Sequence, residues 1–147
     1  MPKPRPAWGP ADRPAMMAFE RYFSWADTMR THVDPYAQDE LRAHSQPYMA
    51  YWYGGLYTVT EGWRALRFRD VRIAALLKDA EKMAFLRGYR VGAFHFQRKY
   101  FDRRFVALWE RSDVIAWADQ LHRAFAGFIR EELPKIVEST FPHQGGG

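Results

Sequence analysis

The run MAYWYGGLYTVTEGWRAL, residues 49–66, decides the fold. Its apolar side chains Met49, Trp52, Leu56, Val59, Trp63 and Leu66 recur at spacings of 3, 4, 3, 4 and 3, the beat of one face of an α-helix at 3.6 residues per turn. A strand, with its period of two, could not present that set on one side. The spacing predicts a core helix opened by Pro47, in the first-turn position where a missing N–H costs nothing. Gly54 and Gly55 weaken such a helix by about 1 kcal/mol each relative to alanine, so another backbone is expected to pass close to them. The cluster Tyr51-Trp52-Tyr53 could stack nucleobases, but it fits the apolar stripe and is expected in the core.

On the N-terminal side, Asp12 two residues before Pro14 marks a helix start. Tyr22, Trp25 or Ala26, Met29 and Val33 then predict an amphipathic helix that ends before Asp34-Pro35. On the C-terminal side, Asp70 is expected to begin a short helix carrying Val71, Ile73, Leu76 and Leu77, and Asp79 to cap the next. That next helix should turn Met83, Leu86, Tyr89, Ala93, Phe96 and Tyr100 inward. A last helix from Ser112 or Asp113, with Ile115, Ala118, Leu121, Phe125, Phe128 and Leu133 on one side, is expected to stop before Pro134. The expected architecture is all-α, a single-domain bundle of four or five helices over residues 14–134. A proline-rich flexible tail over 1–13 and a disordered tail over 135–147 should flank it.

Composition narrows the function classes. The 147 residues suit one domain with a real core. The absence of cysteine excludes disulfides, thiolate nucleophiles and cysteine zinc sites, and it fits a cytoplasmic protein. The most lipid-like run, 49–59, has 11 residues, well short of the ~20 that span a bilayer; no membrane role is expected. Charge is uneven. Residues 64–104 hold twelve Lys or Arg against four acids, a surplus of eight, which leaves the rest of the chain at minus three against a net charge of +5. The middle of the chain is therefore a candidate anion-binding surface.

Within it lies LRGYRVGAFHFQ, residues 86–97, where four residues separate Arg90 from His95. Cleavage of RNA without a metal requires a group near neutral pKa to move protons and a fixed cation to stabilise charge on phosphoryl oxygen. Histidine and arginine are those two types. Arg98 and Lys99 follow within helical reach of His95, and Arg103 and Arg104 extend a basic, aromatic stretch suited to single strands. On a straight helix, however, positions five apart differ by about 140° in direction. The long side chain of Arg90, a bend near Gly92 or a second chain could close that gap. Ala84, Gly88 and Gly92, at i, i+4 and i+8, suggest a face on which two helices could meet, and so a homodimer. For Arg90 the alternative role is an ion pair to an acid on a neighbouring helix. Asp119 and His122 form a D-x-x-H pair, but a di-metal site needs carboxylates from several helices, so neither metal nor cofactor is expected.

The segment 86–97, together with Glu61-Gly62-Trp63, resembles the HEPN superfamily, all-helical domains with an Arg-x4-6-His motif; the resemblance covers residues 51–105. It implies a metal-independent endoribonuclease or RNA-binding domain, dimeric, with Arg90 and His95 as catalytic residues, and it permits a cognate antitoxin as partner; the basic pattern, not the resemblance, puts Arg98, Lys99, Arg103 and Arg104 on the RNA. Many members carry a polar residue, often Asn, after the arginine; this chain has Val91. The other expectation is thus a non-catalytic dimeric helical bundle that binds a protein or nucleic acid partner.

Overall fold

A computed structural model of the chain describes residues 8–9, 12–33, 40–98 and 111–140. Among them run five α-helices and no strand: α1 (Asp12–Arg30), α2 (Glu40–Ala65), α3 (Val71–Leu77), α4 (Ala80–Phe94) and α5 (Ser112–Thr140). Helix α2 is the axis. Helix α1 packs along one side of it and α4 along another, while α5 closes the bundle against α1, α3 and α4.

The stripe read from α2 is the core: Met49, Trp52, Leu56, Val59 and Trp63 are buried, and Leu66 packs against them. Phe19 of α1 meets Trp63, Phe68, Phe125 and Phe128 at centroid distances of 5.3 to 6.2 Å, mostly edge to face. Offset and edge contacts of this kind add to plain burial. The backbone approach expected at the glycines occurs at Gly55, where a Cβ would lie 3.0 Å from Ala26 Cβ and 3.4 Å from its Cα. At Gly54 the neighbour is instead the Phe94 ring.

Asp70 caps α3 by accepting the amides of Arg72 and Ile73 at 2.8 and 3.2 Å, and Asp79 caps α4 through Lys82 at 3.1 Å. Burial raises the Asp70 carboxyl pKa, but hydrogen bonds from the Arg72 side chain and the Ile73 amide outweigh it and hold the group below its ordinary value.

Four expectations differ from the structure. In α1 the buried side is Met16, Phe19, Phe23 and Ala26, with Met29 packed against the core; of the expected stripe Tyr22 points outward, and of Trp25 or Ala26 it is Ala26 that is buried. Helix α2 starts at Glu40, so Pro47 lies inside it. Helix α5 continues to Thr140 with Pro134 inside, because Ile136, fully buried, holds the next turn against the core. Helix α4 stops at Phe94; Phe96 is 94% exposed, and Tyr100 lies outside the described residues. On the N-terminal segment, Trp8 docks edge-on against Phe68 and donates to Glu132 at 2.7 Å.

Candidate functional site

Helices α1, α2 and α4 leave a half-open cleft of about 510 Å³ between them. Tyr22, Trp25 and Met29 wall it from α1, Tyr51, Gly54 and Thr58 from α2, and Arg90, Val91 and Phe94 from α4, with His95 at the edge. Four large rings are therefore exposed in one place: Tyr22, Trp25, Tyr51 and Phe94. Tyr22 meets Trp25 edge-on at 5.4 Å, and Tyr51 meets Phe94 at 5.6 Å. Flat apolar walls with a few polar groups at the rim suit a planar ligand.

Arg90 and His95 both line this cleft. The helix ends between them. His95 is the C-cap of α4, with extended backbone (φ −121°, ψ 129°) and its N–H bonded to Val91 O at 3.0 Å. Leaving helical geometry turns it out of the direction that a continuing helix would impose. Its side chain is exposed.

Arg90 is engaged on two sides. Nη1 donates to Glu61 Oε1 at 2.8 Å, and the guanidinium lies 5.0 Å from the centre of the Tyr57 ring. Glu61 and Arg90 are about half exposed, and an ion pair so placed contributes at most about 1 kcal/mol. An incoming phosphate could displace it. Val91 sets an aliphatic group in the wall beside His95.

Arg98 is exposed, and Lys99, Arg103 and Arg104 lie outside the described residues. Ala84 is exposed and Gly88 half-buried, with nothing within 4 Å of a Cβ built on Gly88; Gly92 is buried. Tyr51 opens into the cleft while Trp52 and Tyr53 are buried, so the aromatic cluster divides between core and site. Tyr22 lines the cleft but reads as core in the sequence, and Trp25 reads there as the alternative to Ala26, since aromatics occur on both sides of α1.

Asp119 and His122 point to different partners. Trp52 Nε1 donates to His122 Nδ1 at 3.1 Å, and His122 Nε2 lies 2.8 Å from Asp27 Oδ1. An indole N–H can only donate, so Nδ1 is the acceptor and Nε2 carries the proton. Both ring nitrogens are thereby occupied. Asp119 pairs with Arg30 and Arg123. No group of three or more potential metal ligands occurs among the described residues, nor does any of their helices have the length and apolarity to cross a membrane.

No family model, curated protein or solved structure matches the chain.

Proposed function

We propose that this chain is a HEPN-like RNA-binding domain whose aromatic cleft takes a nucleobase and presents the adjacent phosphate to Arg90 and His95 for cleavage without a metal. The observation that carries the reading is the meeting of a cation, an imidazole and four exposed rings in one cleft. Base stacking on such rings contributes about 1–3 kcal/mol per base and tolerates any sequence. In the reaction, His95 takes the proton of a 2′-hydroxyl as O2′ bonds to phosphorus. Arg90, released from Glu61, stabilises the charge that gathers on the phosphoryl oxygens. The bond from phosphorus to O5′ breaks, and O5′ leaves with a proton from water or from a second imidazolium. The products are a 2′,3′-cyclic phosphate and a 5′-hydroxyl. One imidazole per cleft favours a homodimer that sets two clefts mouth to mouth.

The test combines a solution mass with cleavage of single-stranded RNA by wild type, His95→Ala and Arg90→Ala. Loss of either proton transfer or charge stabilisation is expected to slow cleavage about a hundredfold or more, with 2′,3′-cyclic ends on the wild-type products. RNA left intact by wild type and His95→Ala alike would remove the catalytic part of the proposal. The Glu61–Arg90 pair and Val91 favour a second reading, in which the same cleft binds RNA or a protein partner, such as an antitoxin, without cutting. Retained RNA binding with no cleavage supports it.

A further inference from the structure

A second groove, of about 520 Å³, runs between α2 and α4. Arg64 and Arg87 both line it, with Ala80, Ala84 and Gly88 on its floor. Both arginines are exposed, and neither has an acidic partner among the described residues. Glu61, the nearest acid along α2, is turned to Arg90. Helices α2 and α4 run antiparallel, since Gly54 meets Phe94 while Glu61 meets Arg90. Arg64 is three residues beyond Glu61, and Arg87 three before Arg90. The two unpaired guanidiniums thus form the next tier, about 4.5 Å along the helices from the Glu61–Arg90 pair. Like charges held on one groove without an acid repel, and a bridging anion relieves that repulsion.

The groove joins the aromatic cleft. Val91 lines both, and Tyr57, in the groove wall, carries the guanidinium of Arg90, which lines the cleft. We infer that the Arg64–Arg87 groove is a second phosphate subsite, continuous with the cleft, so that the ligand is a single-stranded RNA several nucleotides long rather than a mononucleotide. This rests on the reading of the cleft above. The small residues would also accept a helix of a second copy, but a two-fold contact there would bring a second pair of arginines to a groove whose lining holds no acid.

The test uses the His95→Ala protein, to prevent cleavage, and fluorescence anisotropy with 5′-fluorescein diuridylate and octauridylate over a range of salt. Adding Arg64→Ala and Arg87→Ala is expected to weaken octauridylate binding about tenfold or more and to lower the salt slope by about 1.4, at ~0.7 per single-strand phosphate contact. Diuridylate, which fills only the cleft, should bind as before. Arg21→Ala with Arg130→Ala removes the same charge from exposed positions on α1 and α5 and should cause no such loss. Octauridylate binding with unchanged affinity and salt slope in the Arg64/Arg87 variant would overturn the subsite while leaving the cleft in place. So would a variant that turns from dimer to monomer with RNA binding intact, which would make the groove a contact between chains. Failure of the parent protein to bind either oligonucleotide would remove the cleft reading and the subsite together.

Discussion

Arg67 sits at φ 56°, a positive φ on a side chain other than glycine. The reason is the end of α2. Phe68 N–H bonds to Trp63 O at 3.2 Å and Arg67 N–H to Arg64 O at 3.1 Å, the paired bonds of a Schellman motif, with Phe68 and Trp63 in edge contact at 5.8 Å as its apolar clasp. That motif requires a left-handed residue at position 67, and an L side chain there costs roughly 1 kcal/mol that glycine does not incur. Arg67→Gly should therefore stabilise the protein by about 0.5–1 kcal/mol in urea unfolding, less the greater entropy of glycine in the unfolded chain. A loss of more than 1 kcal/mol would mean that the exposed guanidinium holds a contact of its own. At the same scale, the types and places of Arg90 and His95 were legible in the sequence, because two chemically distinctive residues stand close together. Their shared cleft was not legible, since it depends on α4 ending one residue before His95.

Among the elements, two of the three glycines of α2 should respond oppositely to a methyl group. At Gly62 a Cβ would make ordinary contact, 3.6 Å from Phe19 Cδ2, so Gly62→Ala should gain up to about 1 kcal/mol from helix propensity. At Gly55 it would press on Ala26 Cβ and Cα. Backbone cannot rotate away as a ring can, and overpacking of about 1–3 kcal/mol is expected to exceed the propensity gain. Gly55→Ala should thus destabilise where Gly62→Ala stabilises, and equal signs in the two unfolding curves would contradict the close packing of α1 on α2. The same contact accounts for the misread face of α1. Aromatics lie on both sides of that helix, so periodicity alone could not choose between Tyr22 and Phe23. The choice is made by Ala26 fitting over Gly55 and by Phe23 lying tilted against His122 at 4.8 Å, contacts with residues far along the chain. Pro47 and Pro134 misled for a related reason. An interior proline costs about 3 kcal/mol of helix, and only tertiary burial, such as that of Ile136, shows that the helix continues past it.

At the scale of the whole molecule, His122 links three helices: Asp27 of α1, Trp52 of α2 and its own α5. Arg30 approaches from α1 and Asp119 from α5, and the two pair with each other. Burial pushes the imidazole pKa down, and it stays lowered although the Asp27 carboxylate pulls the other way. Geometry agrees, because a proton on Nδ1 would face the N–H of Trp52 with no acceptor between them. In the unfolded chain the same histidine titrates near 6.5. Between that value and the lower folded one, the unfolded state binds more protons, so stability rises with pH across the interval. The contribution is fully present above the unfolded value and declines as pH falls toward the folded one. Thermal midpoints of wild type should therefore drop from pH 7 to pH 5. In His122→Gln the side chain can accept from Trp52 and donate to Asp27 but cannot titrate, so this drop should be shallower. His122→Ala, which leaves Trp52 and Asp27 without their partner and opens a cavity, should cost about 3 kcal/mol at pH 7. Parallel pH profiles for wild type and His122→Gln would show that protonation elsewhere sets the acid sensitivity. Because α1 and α2 also frame the aromatic cleft, loss of this link should loosen the cleft, and the hydrogen-exchange protection of the α1 amides should fall on acidification before global unfolding.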